Sequence, residues 1–244
     1  MSVSLLSRAI AIIDAISKSE DGLRFTDLAR VLNNPSPATV NKILKELLAE
    51  TILEKTAHNR YTLGRKVYFW GRSMAVKNTP LQVIKEHMGR LHRDLRVSVN
   101  LFACVGDNML CLESFMDSES PSLWPVGVSL PIQVSILGAI FFIPGDRLAD
   151  KDFLQKEIQA HPYPLSLDTL CRMIDEAAAT GFQDDFGAFY PGMHRFAVPL
   201  NEAGRTVMSL GLGIMPARLQ EEGLAGRIRS ELQRSRAEIE KYLI

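Results

Sequence analysis

Cysteine is scarce in this chain, three of 244 residues, and the number is odd. A disulfide framework is therefore not what stabilises it, and Cys104, Cys111 and Cys171 read as small hydrophobes in apolar surroundings. Cys104 and Cys111 could meet across a hairpin, but a reducing compartment disfavours that bond. The five histidines, His58, His87, His92, His161 and His194, are scattered. None pairs at zinc-site spacing, so neither a metal nor a cofactor is expected. Long apolar runs are also missing. Although 46% of residues are apolar, no run approaches the roughly 20 that a membrane span needs, and Val134 to Ile143 is too short. The start, Met1-Ser2-Val3-Ser4, has no basic-then-apolar secretion pattern, because Arg8 interrupts the first apolar segment. A cytoplasmic protein without a membrane partner is expected. Internal repeats and low-complexity segments are absent too.

What is present begins with residues 26 to 63, which read as a winged helix-turn-helix. Ser36 is a good N-cap and Pro37 falls where a helix needs no amide donor, so the spacing predicts a helix starting there. Val40, Ile43, Leu44 and Leu47 recur on one face. Ala38, Asn41, Lys42 and Lys45 recur on the other. Upstream, Thr26 is expected to cap a short helix striped by Phe25, Leu28, Ala29 and Leu32. Pro35 and Pro37 then force a bend at Asn33-Asn34. Downstream, Ile52 to Lys55 and Arg60 to Leu63 predict two strands around the polar tip Thr56-Ala57-His58-Asn59, the wing.

A major groove admits one helix and offers a distinct donor and acceptor pattern for each base pair. Asn41 and Lys42 suit base edges or phosphate, and Lys45, Lys55 and Arg60 suit phosphate. The candidate DNA contacts are therefore Ser36, Ala38, Thr39, Asn41, Lys42, Lys45, Lys55 and Arg60. The alternative is a winged fold used only for protein contact. Net charge is zero, but residues 1–76 hold 11 basic against 7 acidic residues and residues 77–244 hold 17 against 21. A head of net charge +4 on a body of −4 agrees with phosphate binding by the head alone. Four charges are few, so two or more heads are expected to act together on palindromic double-stranded DNA.

The first helix, Leu5 to about Ser17, closes the head's core. After the wing a further helix is expected over Arg65 to Val76, carrying Val67, Tyr68, Trp70 and Met74 and stopping at Asn78-Thr79-Pro80. From Leu81 to Leu95 apolar residues recur as a heptad-like seam, which packs on the body or on a partner chain. Beyond Val97 two hairpins are expected, Val97–Val105 with Met109–Phe115 and His194–Leu200 with Thr206–Ile214. Helices are expected at Gln133–Ile143, Leu167–Thr180 and Leu224–Ile244. The fold class is α+β. Its parts are a winged head at 1–64, a linker helix at 65–78, and a body at 79–244 with an antiparallel sheet flanked by helices.

These parts occur in a familiar order. Ser4-Leu5-Leu6-Ser7-Arg8-Ala9-Ile10, Thr39-Val40-Asn41-Lys42-Ile43-Leu44, Arg60-Tyr61-Thr62-Leu63-Gly64, Leu130-Pro131-Ile132 with Gly138, Thr180-Gly181-Phe182, and Pro191 to Pro199 (Pro-Gly-Met-His-Arg-Phe-Ala-Val-Pro) carry the likeness jointly. With them the chain resembles the IclR family of bacterial transcriptional regulators from end to end. The resemblance implies a GAF-like body that binds a small-molecule effector, often a carboxylate or an aromatic acid, and homodimers that pair into homotetramers. It places Ser135, Ile136 and Leu137 at the effector pocket. It also exposes departures. Ile136 and Leu137 stand where small residues are usual, Gly211 and Gly213 where serines are usual, and Arg195 where cysteine is common. Two hydroxyls are lost and apolar bulk is gained, so a narrower or more apolar pocket is expected.

Asp184, Asp185, His194 and Arg195 are the polar groups expected near its mouth. Arg195 is the candidate to hold a carboxylate if the effector is an acid; the plainer reading is a solvent-facing strand Arg. No catalytic motif supports Cys111 or Cys171 with His194, or the pair Asp184-Asp185, so an enzyme is not expected. The rival function is a ligand-sensing interaction protein that has lost specific DNA binding, because Asn41 and Lys42 replace the residues most often seen there in the family.

Overall fold

The structure, a computed structural model, describes residues 4–77, 79–120 and 124–243. The expected break at Asn78 and the side chain of Met74 lie outside the described residues. Two units are found, 1–78 and 79–244.

In the head, α1 (Leu5–Ser17) starts where Ser4 Oγ accepts from the Ser7 amide at 3.1 Å. Then come β1 (Leu23–Arg24), α2 (Phe25–Val31), α3 (Pro37–Ala49), β2 (Leu53–Lys55), β3 (Arg60–Leu63) and α4 (Arg65–Lys77). The periodicity works as read: Val40, Ile43, Leu44 and Leu47 of α3 pack with Ile12, Ile16, Leu28, Leu53 and Tyr61 in one core. Each such side chain, when fully buried, contributes about 1.5–3 kcal/mol. Asn33 and Asn34 both take left-handed backbone, φ 60° and 52°, which Asn tolerates. That turn sets α3 off from α2.

Two details differ from expectation. Arg24, not Thr26, is the N-cap of α2, and its amide donates to the Asp27 carboxylate at 3.1 Å. Thr26 already lies inside the helix. The wing sheet also has a third strand, in the order β1-β3-β2. Two-residue β1 is too short to show a period, and it pairs because Gly22, at φ +76°, lets the chain pass the Tyr61 carbonyl, where a Cβ would come within 2.5 Å.

In the body, α5 (Thr79–Leu95) precedes β4 (Ser98–Val105), β5 (Asn108–Phe115) and β6 (Ser129–Pro131). Then follow α6 (Gly145–Leu148), α7 (Lys151–Ala160), α8 (Leu167–Thr180), β7 (Gln183–Asp184), β8 (His194–Glu202), β9 (Arg205–Ile214) and α9 (Leu224–Ile239). All six strands join one antiparallel sheet, ordered β6-β5-β4-β9-β8-β7. Alternate residues serve opposite faces. Val99, Leu101, Phe196, Val198, Leu210 and Leu212 meet α5 and α9 in the larger core, so the seam Ile84, Met88, Leu91, Leu95 is buried within the body itself. The other face carries Phe102, Met109, Cys111 and Ala197 under Ile136 and Leu137.

The expected helix over 133–143 is not formed. That segment is a run of tight turns with one 3-10 turn at Ala139–Phe141, because Gly138 takes left-handed backbone and gives its amide to Gln183 Oε1 at 2.8 Å. The three thiols are free. Phe102 faces Cys111 and Cys104 faces Met109, so the hairpin register keeps the cysteines apart. Only Cys111 is fully buried; Cys104 and Cys171 are partly exposed, less hidden than the sequence implied.

Candidate functional site

The first candidate is the outer face of α3. Ser36 caps the helix through the Thr39 amide, and Ser36, Ala38, Asn41, Lys42 and Lys45 are exposed while Thr39 is half-buried. The buried stripe opposite them orients this row outward. On the wing, Lys55 is exposed with its ammonium 5.6 Å from the centroid of the Tyr61 ring. Arg60 is placed differently from a free phosphate anchor. It is half-buried, and its Nη1 donates to the Gly22 carbonyl at 2.9 Å, tying β3 to the turn before β1. Helix α4 is fastened to the same unit by Arg65 to Glu54 and by Lys66 to Glu50.

The second candidate is a cavity of about 270 Å³ on the body's sheet, at the small end of ligand sites. β4 supplies Ser98, Asn100 and Phe102, and β8 and β9 supply Arg195 and Gly213. Leu130 and Val128 wall one side, with Trp124 edge-on to Phe102 at 5.4 Å. Gln133, Ile136 and Leu137 lie over it, and Tyr190 and Met193 come from the loop before β8. Most of this wall is apolar.

Arg195 is the one charged residue among the described lining residues, and it is 8% exposed. Its Nε donates to Asp185 Oδ2 at 2.6 Å and its Nη2 to the Ser135 carbonyl at 3.1 Å. The guanidinium lies 4.6 Å from the Tyr190 ring centroid and 5.3 Å from that of Phe189. Asp185 has no exposure, and its Oδ1 accepts the amides of Arg195 and Gly187. Strand alternation turns Arg195 inward, where the plainer sequence reading had it in solvent.

Of the expected effector residues, the cavity brings together Ile136, Leu137, Arg195 and Gly213. The others are placed elsewhere. Ser135 contributes a carbonyl to Arg195 rather than a hydroxyl to the cavity. Asp185 is the buried counter-ion behind the wall. Gly211 is covered by Leu137. His194 and Asp184 lie on the opposite side of the strand alternation. The His194 ring stacks on Phe196 at 4.6 Å, and its Nε2 meets Asp184 Oδ1 at 2.6 Å.

Asp184, Asp185 and His194 bring ligand atoms within 4.8 Å of one another. A cation there would sit beside the Arg195 guanidinium and compete for carboxylate oxygens already engaged by amides, so the cluster is built as a hydrogen-bonded corner. The His194 ring is committed to Asp184, and the Cys111 thiol donates to the Glu113 carbonyl. Burial pushes the Cys111 thiol above its ordinary value, which disfavours the thiolate nucleophile.

The sequence missed Ser98 and Asn100, and with them Phe102, Trp124, Val128, Leu130, Gln133, Tyr190 and Met193. A signal existed for the first two, polar residues at alternate positions in an otherwise apolar strand. Trp124, in the connection before β6, gave none.

A winged helix-turn-helix and a body with a cavity on an antiparallel sheet are the two parts of this fold. The fold is that of the IclR regulators. An IclR transcriptional regulator from Alicyclobacillus acidocaldarius is 17% identical, with all of both chains covered and a TM-score of 0.76. An IclR-family regulator from Brucella abortus is 19% identical over 100% of this chain and 93% of its own, with a TM-score of 0.72. An IclR homolog from Microbacterium hydrocarbonoxydans, in complex with 4-hydroxybenzoate, is 21% identical over 98% and 99% of the two chains, with a TM-score of 0.70. No protein-family model matches the sequence, and no curated protein matches it. Among the described residues no helix is long and apolar enough to cross a membrane.

Proposed function

We propose that this chain is an IclR-type transcriptional regulator that binds a palindromic operator as a homodimer or homotetramer and whose affinity responds to a small effector in the body's cavity. The observation that carries the DNA reading is the outer face of α3, where Asn41, Lys42 and Lys45 are exposed while the whole opposite stripe is buried. Such a helix fits a major groove, with Asn41 and Lys42 at base edges and Lys45 and Lys55 at phosphates. Arg60 stiffens the wing.

The effector reading is supported by the largely apolar cavity with its few convergent polar groups, and by the aromatic acid held by the Microbacterium protein of the same fold. Effector and operator binding form two coupled equilibria, with α4 as the link between head and body. Catalysis has no part in this reading.

The test is capture of fragmented genomic DNA by the purified protein, beside an Asn41→Ala, Lys42→Ala variant. Recovery of a few shared palindromic sites, lost in the variant, is expected. Diffuse recovery by both proteins overturns the specific-regulator reading.

A further inference from the structure

We infer that the body's cavity takes a neutral, planar, mostly apolar molecule with one carbonyl-type acceptor, and that it discriminates against carboxylates, including the anionic form of an aromatic acid. This deepens the effector reading above and rests on it.

The inference turns on Arg195 already having its anion. Asp185 is fully buried behind the cavity wall and grips Nε at 2.6 Å, while the same carboxylate takes the backbone amides of Arg195 and Gly187. Arg195 is thus not a cation waiting for a ligand. Nε, one prong of the side-on fork that would hold a carboxylate in the strong two-pronged geometry, is taken by Asp185 Oδ2, while Asp185 Oδ1 accepts backbone amides. Nη2 is partly committed to the Ser135 carbonyl, and the Tyr190 and Phe189 rings further satisfy the positive charge.

The described lining residues carry no other charge. A carboxylate entering would be the second anion set against one guanidinium. It would lose its hydration in an apolar pocket and face Asp185 across Arg195. A ketone, amide or ester carbonyl has a much smaller hydration to lose and still accepts from the guanidinium N–H groups that Asp185 and Ser135 leave over. Phe102, Trp124 and Tyr190 make walls suited to a flat ring. The small cavity limits the occupant to about one ring with a short substituent.

Trp124 lines the cavity and the chain has only two tryptophans, so full-length Trp70→Phe protein reports occupancy by fluorescence. The probes are two matched pairs, 4-hydroxybenzamide with 4-hydroxybenzoate and acetophenone with benzoate. At pH 7 the neutral member of each pair is expected to bind at least tenfold tighter. The acids, whose pKa is about 4, are expected to weaken about tenfold per pH unit from pH 5 to 7, because only the protonated form enters. This pH arm needs no change at the cavity. Asp185→Asn, which strips Arg195 of its anion, should shift the preference at least tenfold toward the acid. Acids binding tighter than their partners, with affinity flat from pH 5 to 7, would overturn the neutral-ligand inference and leave the cavity as an effector site. Silence of Trp124 toward all four compounds would overturn both.

Discussion

Leu137 stands where a side chain on Gly211 would have to go: a Cβ there would come within 2.5 Å of Leu137 Cδ2 and 2.8 Å of its Cγ. The two departures read from the sequence, apolar bulk at 137 and glycine at 211, are therefore one packing solution across the sheet. Gly211→Ser should overpack this layer and cost about 1–3 kcal/mol. Leu137→Ala should cost about 2–5 kcal/mol through the cavity it leaves. Combined, they should cost less than their sum by about 1 kcal/mol or more, since the serine enters space the leucine vacates. Urea unfolding of the four proteins measures this, and strictly additive costs would disprove the pairing.

Gly138 is constrained twice. Its φ of +79° is unfavourable for a residue with a Cβ, and that Cβ would fall 2.2 Å from Ser209 Oγ. Gly138→Ala should lose about 2–4 kcal/mol from left-handed strain and overpacking together. Adding Ser209→Gly should recover the steric part and leave the strain. Among the described residues the buried Ser209 Oγ has no hydrogen-bond partner. Ser209→Ala alone should therefore be neutral or slightly stabilising, because no bond is broken and no buried hydroxyl remains. A marked loss of stability in Ser209→Ala would show a partner for that hydroxyl.

On the DNA side, the exposed residues of α3 should separate by role. Asn41→Ala should weaken operator binding by about 1–3 kcal/mol and relax the preference for bases at one position. Lys45→Ala should weaken all sequences alike and reduce the salt slope of log K by about 1. Fluorescence anisotropy against salt, with operator and scrambled duplexes, checks both. Equal losses on the two duplexes for Asn41→Ala would move that residue to the phosphate backbone.

These contrasts mark how far the sequence could be read. In the head, α3 and the two wing strands were legible, because Ser36-Pro37 and the spacing of Val40, Ile43, Leu44 and Leu47 record local rules of capping and periodicity, whereas two-residue β1 and the Arg24 cap of α2 were not. The hairpins β4–β5 and β8–β9 were legible for the same reason. Segment 133–143 was not: its apolar residues suit a helix, and what prevents one is Gly138 backbone geometry fixed by Gln183, 45 residues away. The cavity was half legible. Arg195 was found, but its partner in Asp185 and its inward aim depend on strand parity and on β7 pairing with β8, which no local pattern encodes.

A last prediction concerns pH. His87 on α5 lies between Arg90 and Glu238 of α9: Arg90 Nη2 donates to Nδ1 at 2.8 Å, and Nε2 lies 3.4 Å from Glu238 Oε2. Burial and the adjacent Arg90 guanidinium hold the imidazole below its ordinary value of 6.5, against the opposing pull of Glu238 and Glu86, and Arg234 adds a smaller push in the same direction as Arg90. The folded protein therefore takes up this proton at lower pH than the unfolded chain. Well above pH 6.5 both states are neutral there and the group contributes no pH dependence. Below it the unfolded chain binds the proton first, so stability falls as pH drops from the ordinary value toward the folded one, then levels off. His87→Gln keeps an acceptor for Arg90 and a donor for Glu238 but cannot titrate. It should flatten the acid-side loss that sets in below about pH 6.5 while leaving stability at pH 8 close to that of the parent. Urea midpoints of both proteins at each half pH unit from pH 8 downward give the comparison, and parallel curves would show that His87 takes its proton equally in both states.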